Sequence, residues 1–339
     1  MNGVKFGLVY SIESPSQQWT KAYENILEQV ILAEKLGYDT VLISEHHLVD
    51  NGYFPSIVVA GAGLATRTQK IRIGTGVILL PLHHPLHVAE ETAVLDVISK
   101  GRAVLGVGYG YRREEFDAFG VPLDERVSRF DEEVKIVDKL LSQKSVTYDG
   151  RYFKLNNVTM TPRPVQLPRP PIWIAAKREK AVRKVARQGD AWFADPVTPL
   201  SVLKQRVKAY REALKEAGKS FEDVELPIMK EGHVALDTDT AWKNTGDFVL
   251  GNYRDYLKWG HMQDDEGNPV DPSNEEALVT LEKRFIIGGP DDCIQRIEQH
   301  VKELGVNHIL FRVQFSGFPH EKAMSAIRLF AEKVFPHFK

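Results

Sequence analysis

Three stretches of this 339-residue chain combine residue types and spacing that could do chemistry. Glu45-His46-His47 places two imidazoles beside a carboxylate, directly after the apolar run Thr40-Val41-Leu42-Ile43. Imidazole titrates near neutrality, so a histidine here could take or give a proton at a reacting centre, although strand-end histidines also serve as hydrogen-bonded packing. His83, His84 and His87 raise the question of a metal, with His83 and His87 four residues apart. Pro85 lies between them and no His-Glu-x-x-His pattern is present, while coordination needs three or four ligands, so no metal site is expected.

Gly106-x-Gly108-x-Gly110 is the second stretch. The dinucleotide fingerprint wants a glycine at 111 and an acid at the end of the next strand, and Tyr111 breaks it. Backbone without Cβ can still lie against a planar or phosphorylated molecule, or merely make a tight turn. The third stretch, Ala175-Ala176-Lys177-Arg178, joins a strand-like run to a helix-like one. Free N–H groups and the positive end of the helix dipole favour an anion such as phosphate there. Lys177 and Arg178 fit that reading, an exposed basic first turn fits as well, and Arg126 and Arg129 on the preceding helix could reach the same anion.

These residues must be positioned by the elements around them. Val4–Tyr10, Thr40–Ile43, Ile71–Leu80 and the run into Gly106 read as strands buried on both faces, and helical spacing follows each of them. Further strands are expected over Pro171–Ala175, Asp190–Ala194, within Val224–Leu236 and over Asn307–Val313. Alternation with short links means parallel strands and right-handed crossovers, and about eight such pairs is the number that closes into a (β/α)8 TIM barrel. The expectation is one barrel domain over residues 1–339 with insertions at about 145–171 and about 239–284. The first holds a hairpin and five prolines, and the second, polar from His261 onward, includes a candidate lid. In such a barrel the ligand site lies at the C-terminal strand ends. That nominates Tyr10, Glu45, His46, Gly76, Val77, residues 108–111, residues 175–178, Trp192 and Phe193.

Composition narrows the partner. A net charge of −2 with no long Lys/Arg block leaves no electrostatic footprint for nucleic acid or an anionic membrane, so a small molecule is expected. The single cysteine, Cys293, excludes an internal disulfide framework, and no apolar run approaches the ~18 residues of a membrane span. A cytoplasmic, unprocessed protein is expected.

Taken in order, Glu45-His46-His47, Gly74–Pro81 with His84-Pro85, Glu90–Asp96, Gly101-Arg102, Gly106-Val107-Gly108 with Glu115-Phe116, Pro171–Ile174, Gly189–Trp192, Gly288-Gly289-Pro290 and Arg312–Phe315 resemble the bacterial-luciferase-like flavin-dependent monooxygenase family. The resemblance covers essentially the whole chain. It implies a (β/α)8 barrel holding reduced FMN at its C-terminal mouth, often as a homodimer. His46 is then the active-site histidine near the flavin's reactive edge, supporting the C4a-hydroperoxide formed from reduced flavin and O2, with Glu45 in the inner site. The match at Gly76-Val77 implies a non-prolyl cis peptide under the isoalloxazine. Gly108, Tyr109 and Gly110 would line the flavin, and Ala175, Ala176, Lys177, Arg178 and Arg129 would hold its phosphate. Tyr10, Trp192 and Phe193 would border the substrate.

Two departures matter. An arginine of bacterial luciferase after the fourth strand is Tyr109 here, and the common Gly-Gly-x-Ser phosphate loop is Ala175-Ala176-Lys177-Arg178, so phosphate binding leans on Lys177 or Arg178. The F420-dependent branch also resembles this chain, but some of its members carry an acid where Tyr111 stands, which tilts the expectation to FMN. The implied activity is oxygenation of a small organic substrate by reduced FMN and O2, with a transient flavin reductase as partner. The alternatives are an F420-dependent oxidoreductase and a non-catalytic flavin-binding accessory subunit.

Overall fold

The computed structural model describes residues 3–50, 52–271 and 273–339. Residues 1, 2, 51 and 272, which the expected single domain includes, lie outside the described residues. The first half of the chain alternates β1 (Lys5–Tyr10), α1 (Trp19–Lys35), β2 (Thr40–Ile43), α2 (Ile57–Thr66), β3 (Arg72–Thr75), β4 (Ile78–Leu79), α3 (Pro85–Ser99) and β5 (Ala103–Gly108). A short helix α4 (Arg113–Ala118) and the longer α5 (Arg126–Ser142) lead to the hairpin β6 (Val146–Asp149) and β7 (Lys154–Val158). Then come β8 (Ile172–Ala175), α6 (Glu179–Gln188), β9 (Ala191–Phe193), α7 (Leu200–Glu216), β10 (Pro227–Val234) and α8 (Thr238–Lys258). The chain closes with β11 (Ile286–Gly288), α9 (Pro290–Leu304), β12 (His308–Arg312) and α10 (His320–Leu329).

The main sheet is parallel and runs β11-β10-β12-β1-β2-β3-β5-β8-β9, with β4 pairing β5 beside it. It curls on itself. Just past β9, the Ala194 N–H donates to Pro227 O at 3.0 Å and Ala194 O accepts from Met229 N–H at 3.0 Å, bridging to β10. Alternation along the strands separates two apolar layers. Val9, Leu42, Val104, Trp173, Phe193 and Leu310 pack together inside the curl. Leu8, Tyr10, Ile43, Leu105, Ile174 and Trp192 pack outward against the helices.

Three elements differ from the sequence expectation. The single strand over Ile71–Leu80 is two, because a cis peptide at Gly76-Val77 interrupts it. β11 is an additional strand, pairing with the C-terminal half of β10 while β12 pairs with its first half. The segment over 239–284 begins as helix α8, started by Asp237, whose carboxylate accepts from Thr240 N–H at 2.7 Å. Ala241, Val249, Tyr253 and Leu257 bury one face of α8 in a second apolar cluster with Phe285 and Phe315. The proline strap is fastened as well, since Asp96 accepts from the N–H groups of Val165 at 2.8 Å and Gln166 at 2.9 Å.

Candidate active site

His46 lies just beyond β2, buried at the C-terminal end of the sheet. Its Nδ1 is 2.8 Å from Glu115 Oε1 in α4. The same oxygen accepts from the His47 backbone N–H at 2.9 Å and from Arg112 Nη1 at 3.2 Å. Burial pushes the Glu115 carboxyl up, but the His46 hydrogen bond and charge, the His47 N–H and Arg112 outweigh it and hold it below its ordinary value. A carboxylate there accepts only, so Nδ1–H is the donor and Nε2 is left facing the mouth. The Tyr111 hydroxyl stands 3.3 Å from Nε2, and burial raises it well above its ordinary range, so it keeps its proton and donates. The rings of Tyr53 and Trp259, centred 4.9 and 5.5 Å away, wall the imidazole in. The group is a histidine with a fixed tautomer in a dry aromatic cup, able to hold or move one proton at Nε2.

Glu45, expected at the cofactor, is committed elsewhere. Its Oε1 accepts from His47 Nε2 at 2.8 Å and His83 Nε2 at 2.7 Å, and its Oε2 from Leu79 N–H at 2.6 Å. Burial raises this carboxyl, yet the two imidazoles and the N–H overcome it and bring it to about 2. Its role is to brace the backbone at Leu79 beside the cis peptide. Glu45, His47 and His83 also bring three ligand atoms within 4.8 Å of one another. Hydrogen bonds account for that convergence without an ion, because each imidazole points its Nε2 at Glu45. His84 instead caps α3, accepting from Leu86 N–H at 3.2 Å, and His87 pairs with Glu91 on the surface at 3.2 Å.

The floor of the mouth is apolar. Val77 and Ala175 are half-buried atop the inner layer that holds Leu42 and Phe193. The glycines serve this floor. A Cβ at Gly108 would stand 2.6 Å from Val77 Cγ2 and one at Gly106 2.1 Å from Thr75 O, so both make room for the Gly76-Val77 peptide. Gly110 has φ +69 and turns the chain toward α4. Tyr109, Tyr10 and Trp192 are not at the mouth. Alternation turns them outward, where Tyr109 stacks on Phe130 at 3.9 Å, Tyr10 joins Leu8 and Tyr38, and Trp192 donates Nε1–H to Ala176 O at 2.8 Å. Phe193 alone of the expected substrate-border trio faces inward.

The loop after β8 splits its two cations. Arg178 is exposed at the start of α6, close enough to Arg126 for the charges to repel, which with burial lowers the Arg126 guanidinium. Lys177 turns inward and donates to His261 O. Arg129 lies on α5, held by Glu125 at 3.1 Å and by the Tyr152 ring at 4.4 Å.

The luciferase-like monooxygenase family model matches residues 4–308 of the chain. The chain belongs to the luciferase-like monooxygenase family. It is an enzyme of a family whose flavin- or F420-dependent members are monooxygenases and oxidoreductases. It is 25% identical to the oxygenase component of a flavin-dependent trigonelline monooxygenase of Acinetobacter baylyi, over 99% of this chain and 96% of that protein. An F420-dependent glucose-6-phosphate dehydrogenase of Microbacterium testaceum is 27% identical over 93% of each chain. Among solved structures, the monooxygenase RslO1 from Streptomyces bottropensis superposes with a TM-score of 0.89 at 28% identity, covering 99% of this chain and 100% of that one. Among the described residues, no helix is long and apolar enough to cross a membrane.

Within this luciferase-like chain the sequence pointed to His46 but not to what holds it. Glu115 is 69 residues away and enters the sequence reading as part of the Glu115-Phe116 motif, with no role attached to it. His261 opens the stretch expected to hold a lid, and it and Trp259, which directly follow α8, pack over the site residues. His261 stacks on Tyr111 at 4.1 Å, and Arg112 sits over the Trp259 ring at 4.7 Å.

Proposed function

We propose that this enzyme uses reduced FMN and O2, with reducing equivalents from a separate flavin reductase, to oxygenate a small organic substrate. The observation that carries the reading is the Glu115–His46–Tyr111 chain set beside an apolar floor at the mouth. The relative named as an oxygenase component supports a two-protein system. The reading takes the curled sheet as one closed (β/α)8 barrel, supported by the bridge from Ala194 to Ile228. The residues present fit the cofactor. Val77 and Ala175 offer an apolar seat for a planar ring, and the α6 N-terminus with Arg178 and Arg126 offers the donor set for a phosphate. Lys177 and Arg129, engaged elsewhere, leave that set. When bound, reduced FMN would supply the electrons that activate O2. His46 Nε2 would hold the proton near the reacting edge, Tyr111 would orient it, and Trp259 with His261 would keep water out.

A titration against reduced FMN, oxidised FMN and F420 tests the reading. Reduced FMN is expected to bind most tightly. Arg126→Ala with Arg178→Ala should weaken FMN by about tenfold or more and riboflavin little, since charge-assisted hydrogen bonds are worth about 1.5–3 kcal/mol. Equal losses would remove the phosphate assignment, and preference for F420 would replace the oxygenase with a hydride-transfer enzyme at the same mouth.

The enzyme is also proposed to be a homodimer. Val59 on α2 and Val94 and Ile98 on α3 are exposed along one shallow apolar groove of about 340 Å³. Contiguous exposed apolar surface marks an interaction site. Val94→Glu with Ile98→Glu should convert a dimer to a monomer in light scattering after gel filtration, and a monomeric parent protein would end the proposal.

A further inference from the structure

Four cations gather behind the mouth. Lys177 from the loop after β8, Arg206 from α7, Lys230 from β10 and Arg284 just before β11 all act electrostatically on Asp195 or on one another. Arg206, Lys230 and Arg284 are buried and Lys177 is half-buried. Their hydrogen-bond partners are mostly neutral oxygens. Lys177 Nζ donates to His261 O, Arg206 to Thr198 Oγ1 and Gln263 Oε1, each at 2.9 Å, and Arg284 Nη1 to Val197 O at 2.8 Å. The negative charge nearby falls short of theirs. Asp195 accepts from the Thr198 N–H and hydroxyl, both at 2.9 Å, and Glu231 forms two bonds to Arg312 at 2.8 and 2.6 Å. Arg284 also meets Asp265, exposed and 3.3 Å away, and Lys230 feels the Glu231 charge.

Buried cations that outnumber their counter-charges are costly unless a ligand supplies the difference. Burial pushes the Lys177 and Lys230 amines down, and Asp195 only partly offsets it, so both stand at about 8. The cluster is also placed to serve the reaction. His261 carries the carbonyl that Lys177 holds and stacks its ring on Tyr111, whose hydroxyl is 3.3 Å from His46 Nε2. A ligand anchored at the cluster would lie along Tyr111 and His261 with its far end toward His46.

We propose that Lys177, Arg206, Lys230 and Arg284 bind an anionic group of the substrate, a carboxylate, phosphate or sulfonate, and so fix which part of it meets His46. This rests on the oxygenase reading for the identity of the site but not for the anion itself. It is separate from the proposed cofactor phosphate site, because Lys177 and Arg178 are adjacent in sequence yet point to opposite sides of the β8–α6 loop, one inward and one to solvent. The substrate class follows: small organic acids or their phosphate or sulfonate counterparts, not neutral hydrocarbons or aldehydes.

The test is calorimetric titration of the full protein at constant ionic strength with inorganic phosphate, sulfate and acetate, alone and with FMN bound. Saturable binding of at least one of these anions is expected with FMN present. Arg206→Met should weaken it tenfold or more while FMN affinity stays within about twofold, and Arg178→Ala should do the reverse. Should Arg206→Met not fold, protection of Lys177 and Lys230 from an amine-acylating reagent by the same anions, read by peptide mass in the parent protein, reports the same contact. Loss of FMN binding in Arg206→Met with anion binding intact would assign the cluster to the cofactor and overturn the proposal, and so would the absence of any saturable anion binding or protection. Anion binding in a protein that takes no FMN would leave this inference standing while the oxygenase reading fell.

Discussion

Replacing His46 with alanine is expected to lower product-forming turnover by about 10²–10⁴-fold, the usual worth of a positioned proton-transfer group, with FMN affinity nearly unchanged. The imidazole contributes through Nε2, which the Glu115 hydrogen bond at 2.8 Å aims toward the mouth and Tyr111 meets at 3.3 Å. Without it, oxygen activated by the reduced cofactor should leave as hydrogen peroxide instead of entering substrate. Rapid mixing of the reduced, FMN-loaded variant with O2 should therefore show faster flavin reoxidation and a larger peroxide yield than the parent. Identical reoxidation traces and peroxide yields would mean that His46 is packing and no more. Glu115→Gln belongs to the same measurement and should fall between the two, since an amide oxygen can still accept from Nδ1 but the negative charge that stabilises a protonated imidazole is gone.

How much of this site was legible in sequence depended on where each residue's neighbours come from. The β/α alternation, the cis peptide at Gly76-Val77 and the position of His46 past β2 follow from local runs or from the ordered series of family motifs, and the structure has them where the sequence places them. The inward or outward direction of side chains did not follow. Strands buried on both faces carry no period-two pattern, so Ala191-Trp192-Phe193 gives no sign that Phe193 faces the mouth and Trp192 the helices. Tyr10 and Tyr109 were misplaced for the same reason. Helix α8 was read as a loop because much of its buried face is Thr245, Asn252, Tyr253 and Tyr256 instead of aliphatic residues, which blurs the helical stripe. The cation cluster is invisible in sequence because its members come from four separate elements, and only folding brings Lys177, Arg206, Lys230 and Arg284 near one another.

Arg312→Met is expected to destabilise the fold by about 3–5 kcal/mol, the usual cost of stranding one partner of a buried ion pair. Arg312 and Glu231 are fully buried on neighbouring strands β12 and β10, joined by bonds of 2.8 and 2.6 Å, with Arg312 Nη1 also donating to Tyr256 Oη at 2.9 Å. Methionine fills much of the volume but leaves the Glu231 carboxylate inside the sheet without its hydrogen-bonded counter-charge. Urea unfolding at pH 7 should show the loss as a lower midpoint. Buried neutral histidines give both proteins the same dependence on pH. Burial lowers His233, His300 and His308 to about 4, so each favours the folded state above its ordinary value and withdraws about 1.4 kcal/mol per pH unit as the pH falls from about 6.5 toward 4. That shared slope cancels when the two proteins are compared at one pH. Adding Glu231→Leu to Arg312→Met should recover most of the stability at pH 7. A single variant as stable as the parent at pH 7 would mean that water reaches Glu231 and that the pair does not hold these strands together.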